Sequence, residues 1–157
     1  MEAAGLLVLR LSSFAAEQRI RQQADVLQST YCTKAFAMQK ISLDEKFALF
    51  HECWRPKTIA ALNGQEVKLV KVKGEFPWHH HEREDEFFMV WAGVFRVEFR
   101  DQVVTLRPGE CVVVPRGVEH RTCADDEAWI LCFEPAETLN TGNIHDATYT
   151  APRGSTI

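Results

Sequence analysis

The stretch Trp78-His79-His80-His81-Glu82-Arg83-Glu84-Asp85-Glu86 decides how this chain is read. In an extended backbone, side chains at i and i+2 share a face, so His79 and His81 point one way and His80 the other. Glu86 opens the next apolar run, and parity places it on one face with Phe88 and Val90. Antiparallel pairing of that run with the histidine segment would return Glu86 to the side of the two imidazoles. A fourth donor stands at His120, which follows the forced turn Pro115-Arg116-Gly117-Val118-Glu119. Three neutral imidazoles and one carboxylate combine borderline nitrogen donors with a hard oxygen, a set suited to a divalent first-row metal. An octahedral ion held by four protein ligands keeps positions open for water or substrate, as metal catalysis requires. Alone, a His-x-His pair is a weak signal, a metal site in roughly one case in four and otherwise an exposed polar turn or accidental patch. The second half, with its own glycine and proline, gives it weight.

Strands surround these donors. Asn63-Gly64 marks a turn before the β run Val67–Val72, and Phe87–Val90 is the next run. Val94 to Arg100 alternates, with Phe95, Val97 and Phe99 on one face and Arg96, Glu98 and Arg100 on the other. Val103–Leu106 follows, then Pro108-Gly109 suits the centre of a type II turn into Cys111–Val114. Ala128–Phe133 is another strand. Short strands at roughly ten-residue intervals, joined by tight turns, predict an antiparallel sandwich or barrel. By parity Phe88, Val97 and Phe99 line its interior, and Trp78 and Trp91 stand near the ligands in sequence. Phe95 and Phe99 read as core. Arg83, Arg96 and Arg116 read as surface, and Glu82, Glu84 and Asp85 as a solvated acidic turn.

Both histidine segments resemble the two motifs of the cupin superfamily. The first is matched by Gly74, His79, His81, Glu86 and Gly93, and the second by Gly109, Pro115, Gly117 and His120. The resemblance spans residues 64 to 135 or so. It implies an all-β, jelly-roll-like barrel of about six to eight strands with a metal in its mouth. By the same resemblance His79, His81, Glu86 and His120 are the metal ligands, and the ion is manganese, iron, nickel or zinc. Two departures stand out: the gap from Gly74 to His79 is one residue short, and Ala124 replaces the second motif's asparagine. Neither removes a ligand.

Upstream, Ser42-Leu43-Asp44-Glu45 is a capping box, and Leu43, Phe47 and Phe50 line one face of the helix it starts. Pro56 ends that helix or forms the next turn, and His51 and Glu52 fall outside the stripe. Residues 42–62 therefore read as capping helix and linker, 63–137 as barrel and 138–157 as a wrap-around tail with a loose end. Residues 1–41 form an arm with Ala16, Ile20, Ala24 and Leu27 at helical spacing. It holds five basic and three acidic residues, leaving thirteen basic and nineteen acidic for the remainder. The arm reads as a packing extension, with an organelle transit peptide (mitochondrial, for example) as the alternative to a cytoplasmic chain.

The 157 residues, 46% hydrophobic and 25% charged, fit one globular domain. A net charge of −4 argues against a general nucleic-acid binder, and no apolar run reaches membrane-spanning length. Cys32, Cys53, Cys111, Cys123 and Cys132 are odd in number with no C-x-x-C pair, which suits a reducing compartment and thiols packed as small hydrophobes. The expected partner is a small oxygen-bearing metabolite: a sugar, uronate or keto acid. Metal Lewis acidity suits isomerisation or epimerisation, and open positions on iron suit dioxygenation. No residue outside the ligand set takes a catalytic role. The alternative is a non-catalytic ligand-binding or dimerising module, and the family resemblance implies a homodimer.

Overall fold

Alternation of apolar residues on both faces of the central strands dictates two packing surfaces, and the fold supplies both. The structure is a computed structural model that describes residues 39–157; the expected helical arm and transit peptide lie outside the described residues. Helix α1 covers Leu43–Phe47, and seven strands follow: β1 Lys57–Leu62, β2 Gln65–Glu75, β3 Glu86–Ala92, β4 Phe95–Phe99, β5 Val103–Leu106, β6 Cys111–Val114 and β7 His120–Pro135. The seven strands pair with one another antiparallel throughout. The order β1-β2-β7-β3-β6 forms one sheet, while β4 pairs with β5 and with the start of β7. Strand β7 thus serves both layers of an all-β jelly-roll barrel, its first residues pairing with β4 and its later ones with β2 and β3.

Parity separates the two faces. Val70, Val72, Phe88, Val90, Phe95, Val97, Ala128 and Ile130 point into the barrel and form its core. Leu69 and Ile59 point outward and pack with Phe47 and Phe50, so α1 seals the outer face of the large sheet as expected. Phe47 stacks on Trp129 with ring centroids 5.0 Å apart.

Several boundaries differ from the sequence reading. The helix stops at Phe47, well before Pro56, because the chain must turn to lay Phe50 on the same apolar patch. By Trp54 the backbone already runs beside β2, with Trp54 N–H donating to Lys71 O at 2.8 Å. Of the capping box, Ser42 Oγ accepts from Glu45 N–H at 3.5 Å. Lys57–Leu62, read as linker, is a strand whose register runs from Lys57 opposite Leu69 to Leu62 opposite Gln65. The run at Val67–Val72 extends over Gln65–Glu75. Cys53, Cys111, Cys123 and Cys132 are free thiols; Cys123 and Cys132 are buried, but Cys111 is exposed.

The tail wraps the barrel, and its end is held. Ile157 N–H donates to Thr58 O at 3.3 Å, and Lys46 Nζ donates to Ile157 O at 2.7 Å. Midway, Asn143 and His80 exchange two bonds: His80 N–H donates to Asn143 Oδ1 at 2.9 Å, and Asn143 N–H to His80 O at 3.0 Å. Gly142 makes that approach feasible, since at φ +53° any Cβ there would collide with the His80 carbonyl.

Candidate metal centre

Main-chain bonding joins the two histidine segments. His79 and His120 form a two-residue antiparallel bridge, each N–H donating to the other's carbonyl at 2.9 Å. Their imidazole centroids lie 4.5 Å apart. The turn before His120 is held onto the first segment at further points. Gly117 N–H donates to His81 O at 2.7 Å, and Asp85 Oδ1 accepts from Arg116 N–H at 2.9 Å. Asp85 therefore ties the two segments together, while Glu82 and Arg83 face solvent. Val118 N–H closes the turn on Pro115 O at 3.2 Å, with Gly117 at φ +75°, a conformation a Cβ would strain.

Glu86 arrives by a different route from the one parity suggested. Strand β3 pairs with β6 and β7, not with residues 79–81, and Glu86 sits opposite Val114. It meets the histidines across the barrel interior instead. His80, as expected, points away from its neighbours: His79 and His81 are buried and His80 is half-exposed.

One nitrogen or oxygen each of His79, His81 and Glu86 lie within 4.8 Å of one another. His120 joins them, because His81 Nε2 and His120 Nε2 both stand 3.1 Å from the same oxygen, Glu86 Oε2. The four residues are 3%, 4%, 5% and 0% exposed in the order His79, His81, Glu86, His120, so water does not reach most of this polar surface. Yet His81 Nε2, His120 Nε2 and Glu86 Oε2 make no hydrogen bond. They are close without being aligned on one another. Leaving buried polar atoms unpartnered costs about 1–3 kcal/mol each, and a shared cation removes that cost.

The tautomers fit the same reading. His79 Nδ1 lies 2.9 Å from Pro77 O, and His120 Nδ1 lies 3.0 Å from Val118 O. A carbonyl can only accept, so Nδ1 carries the proton in both rings, and in the neutral form of each Nε2 is the nitrogen with the lone pair. This is the outer bond that orients metal-bound imidazoles. Burial, aided by His120, pulls the His79 pKa down to about 4, so its ring is neutral. Burial lowers that of His81 too, but the Glu86 carboxylate outweighs it and the net shift is upward. For Glu86 burial works against ionisation, yet the His120 and His81 imidazoles hold it well below the usual carboxylate range. Neutral nitrogen beside a fixed carboxylate suits a divalent ion.

A small cleft of about 40 Å³ adjoins these groups. His79 and Glu86 line it together with Trp54, Phe76, Phe88 and Glu134. Phe88 and Phe99 flank His120, each ring centroid 6.4 Å from the imidazole, while Val97 is fully buried core. Trp91 lies outside this site and donates its indole N–H to Asp44 at 2.8 Å. Trp78 stacks under the Arg100 guanidinium at 3.8 Å. Arg96 and Arg116 form ion pairs with Asp125 and Asp85.

The sequence reading missed Trp54 and Glu134. Parity along β7 was a usable signal for Glu134, since Ala128, Ile130 and Cys132 face inward ahead of it. Nothing local marks Trp54, whose backbone at φ +60° is unusual for a bulky residue.

With that geometry in place, the chain can be set beside known proteins. The cupin domain model, Cupin_2, matches residues 66–133. A cupin-2 domain containing protein from Shewanella frigidimarina is 47% identical, with 60% of this chain and 93% of that one covered and a TM-score of 0.60. Protein NMB1881 from Neisseria meningitidis is 31% identical, with 62% and 100% covered and a TM-score of 0.58. The uncharacterized protein YdbB of Bacillus subtilis is 34% identical over 85 residues, 52% of this chain and 75% of that protein. The chain belongs to the cupin superfamily.

Proposed function

We propose that this protein holds one divalent transition metal on His79, His81, Glu86 and His120 and presents it to a small oxygen-bearing metabolite in the adjoining cleft. The observation that carries this reading is the convergence of His81 Nε2, His120 Nε2 and Glu86 Oε2, all buried and none hydrogen-bonded. When bound, the ion would act as a Lewis acid on a ligand oxygen, which suits isomerisation or epimerisation of a sugar, uronate or keto acid. The chain's own residues do the rest. Pro77 and Val118 carbonyls fix the tautomers, and the tail at Asn143 holds the backbone of the histidine segment. Trp54, Phe76 and Phe88 offer apolar surface to a carbon skeleton.

Elemental analysis of untagged protein, purified without added metal, tests the reading. One equivalent of manganese, iron, nickel or zinc per chain is expected, and His81→Ala should lose it while remaining folded. A protein that stays metal-free after incubation with each of these ions would refute it.

A further inference from the structure

Glu134 is a second carboxyl group in the cleft, and the metal site does not use it. It stands one residue beyond the pair Phe87–Phe133, so antiparallel register sets it across from Glu86 on the neighbouring strand. Its side chain is only 4% exposed. Oε1 accepts from Lys68 Nζ at 3.0 Å, and Lys68 is held in turn by Glu66 at 3.1 Å. Oε2 has no partner, and Glu134 lines the cleft beside His79 and Glu86. Glu134 is not among the donors His79, His81, Glu86 and His120 that converge at the candidate metal centre. A buried carboxylate oxygen left unbonded costs free energy until a donor reaches it.

We propose that Glu134 Oε2 accepts a hydrogen bond from a hydroxyl of the molecule whose other oxygen the metal holds, so the ligand is a hydroxylated metabolite rather than a keto compound. The inference rests on the metal reading above and narrows its substrate class. Lys68 fixes the carboxylate's rotation by taking one oxygen, which leaves the other unbonded in a residue that lines the cleft. Surrounding Trp54, Phe76 and Phe88 supply apolar walls against which C–H faces pack. Burial and the Glu86 charge push the Glu134 pKa up to about 7 against the opposing pull of Lys68.

The test is calorimetric binding at pH 8 to full-length protein loaded with manganese. Probes are matched hydroxy and keto carboxylates, such as 3-hydroxybutyrate and acetoacetate, with aldoses and uronates alongside. Wild type should bind the hydroxy member at least tenfold more tightly. In Glu134→Gln the amide oxygen stays on Lys68 and the NH2 faces the cleft, turning an acceptor into a donor. That variant should lose or reverse the preference while keeping one metal per chain. Equal affinity for the matched pair in wild type, an unchanged preference in the variant, or no binding by any probe to fully loaded protein would overturn the Glu134 assignment and leave the metal site standing. Failure of wild type to take up manganese would overturn the metal reading instead. Should Glu134→Gln not fold, a crystal structure of wild type with its tightest probe decides: a ligand hydroxyl within hydrogen-bond reach of Oε2 is expected, and its absence contradicts the assignment.

Discussion

The two ends of the barrel interior obey one parity rule and reach opposite chemistry. In β3, Glu86, Phe88 and Val90 all point inward; in β7, Ala128, Ile130, Cys132 and Glu134 do the same. Toward one end the inward positions are hydrocarbon: Val90, Phe95, Val97 and Ala128 are completely buried and need no partner beyond one another. Toward the other they are His79, His81, Glu86, His120 and Glu134, equally buried, with several atoms left unbonded. Burial of hydrocarbon stabilises a fold by roughly 25 cal/mol per Å². Burial of polar atoms does the reverse unless something binds them. One end therefore holds the barrel together, and the other, on the function proposed above, is held ready for a ligand.

That contrast separates variants by what they damage. The largest effect belongs to the polar end: a metal a thousandfold above its Kd stabilises by about 4 kcal/mol, and His120→Ala should abolish the metal-induced rise in Tm. Thermal melts with and without manganese check this. At the hydrocarbon end, Phe95→Ala should cost roughly 3–5 kcal/mol in denaturant unfolding yet leave one metal per chain in folded protein. If Phe95→Ala loses metal as completely as His120→Ala, the two ends are not separable.

Smaller effects sharpen the boundary. Gly142→Ala should push the tail off the His80 carbonyl, speeding metal release to a chelator and proteolysis after Leu139 before it changes global stability. Glu134 provides a pH signature in metal-free protein. Its pKa is raised from 4.5 to about 7, chiefly by burial, so the folded state binds more protons than the unfolded state across that window. Its contribution to stability is thus fully present below pH 4.5 and falls as pH rises toward 7. The Tm of wild type minus that of Glu134→Gln should decline over this range. Least of all, Ser42→Ala removes a long, exposed cap and should cost about 0.5 kcal/mol.

How legible this was follows the same division. His79, His81, Glu86 and His120 could be found because their side-chain chemistry is rare at such spacing and their turns announce themselves through Pro115 and Gly117. Strand alternation at Phe95 and Val97 was equally plain. The route by which Glu86 reaches the histidines was not, because it depends on β3 pairing with β6 and β7, which are distant in sequence. Strand β1 was missed since Lys57–Leu62 is short and only partly apolar, and its pairing with β2 settles its conformation. The early end of α1 has a similar origin: contacts with Ile59 and Leu69 override the local helix signal. Trp54 enters the cleft only through tertiary placement.

The most direct measurement is a crystal structure of protein loaded with manganese or zinc, with anomalous scattering recorded at that metal's absorption edge. A single peak about 2.0–2.2 Å from Nε2 of His79, His81 and His120 and from a Glu86 oxygen is the expected result. A peak elsewhere, or side chains that turn to hydrogen-bond one another with no ion between them, would contradict it.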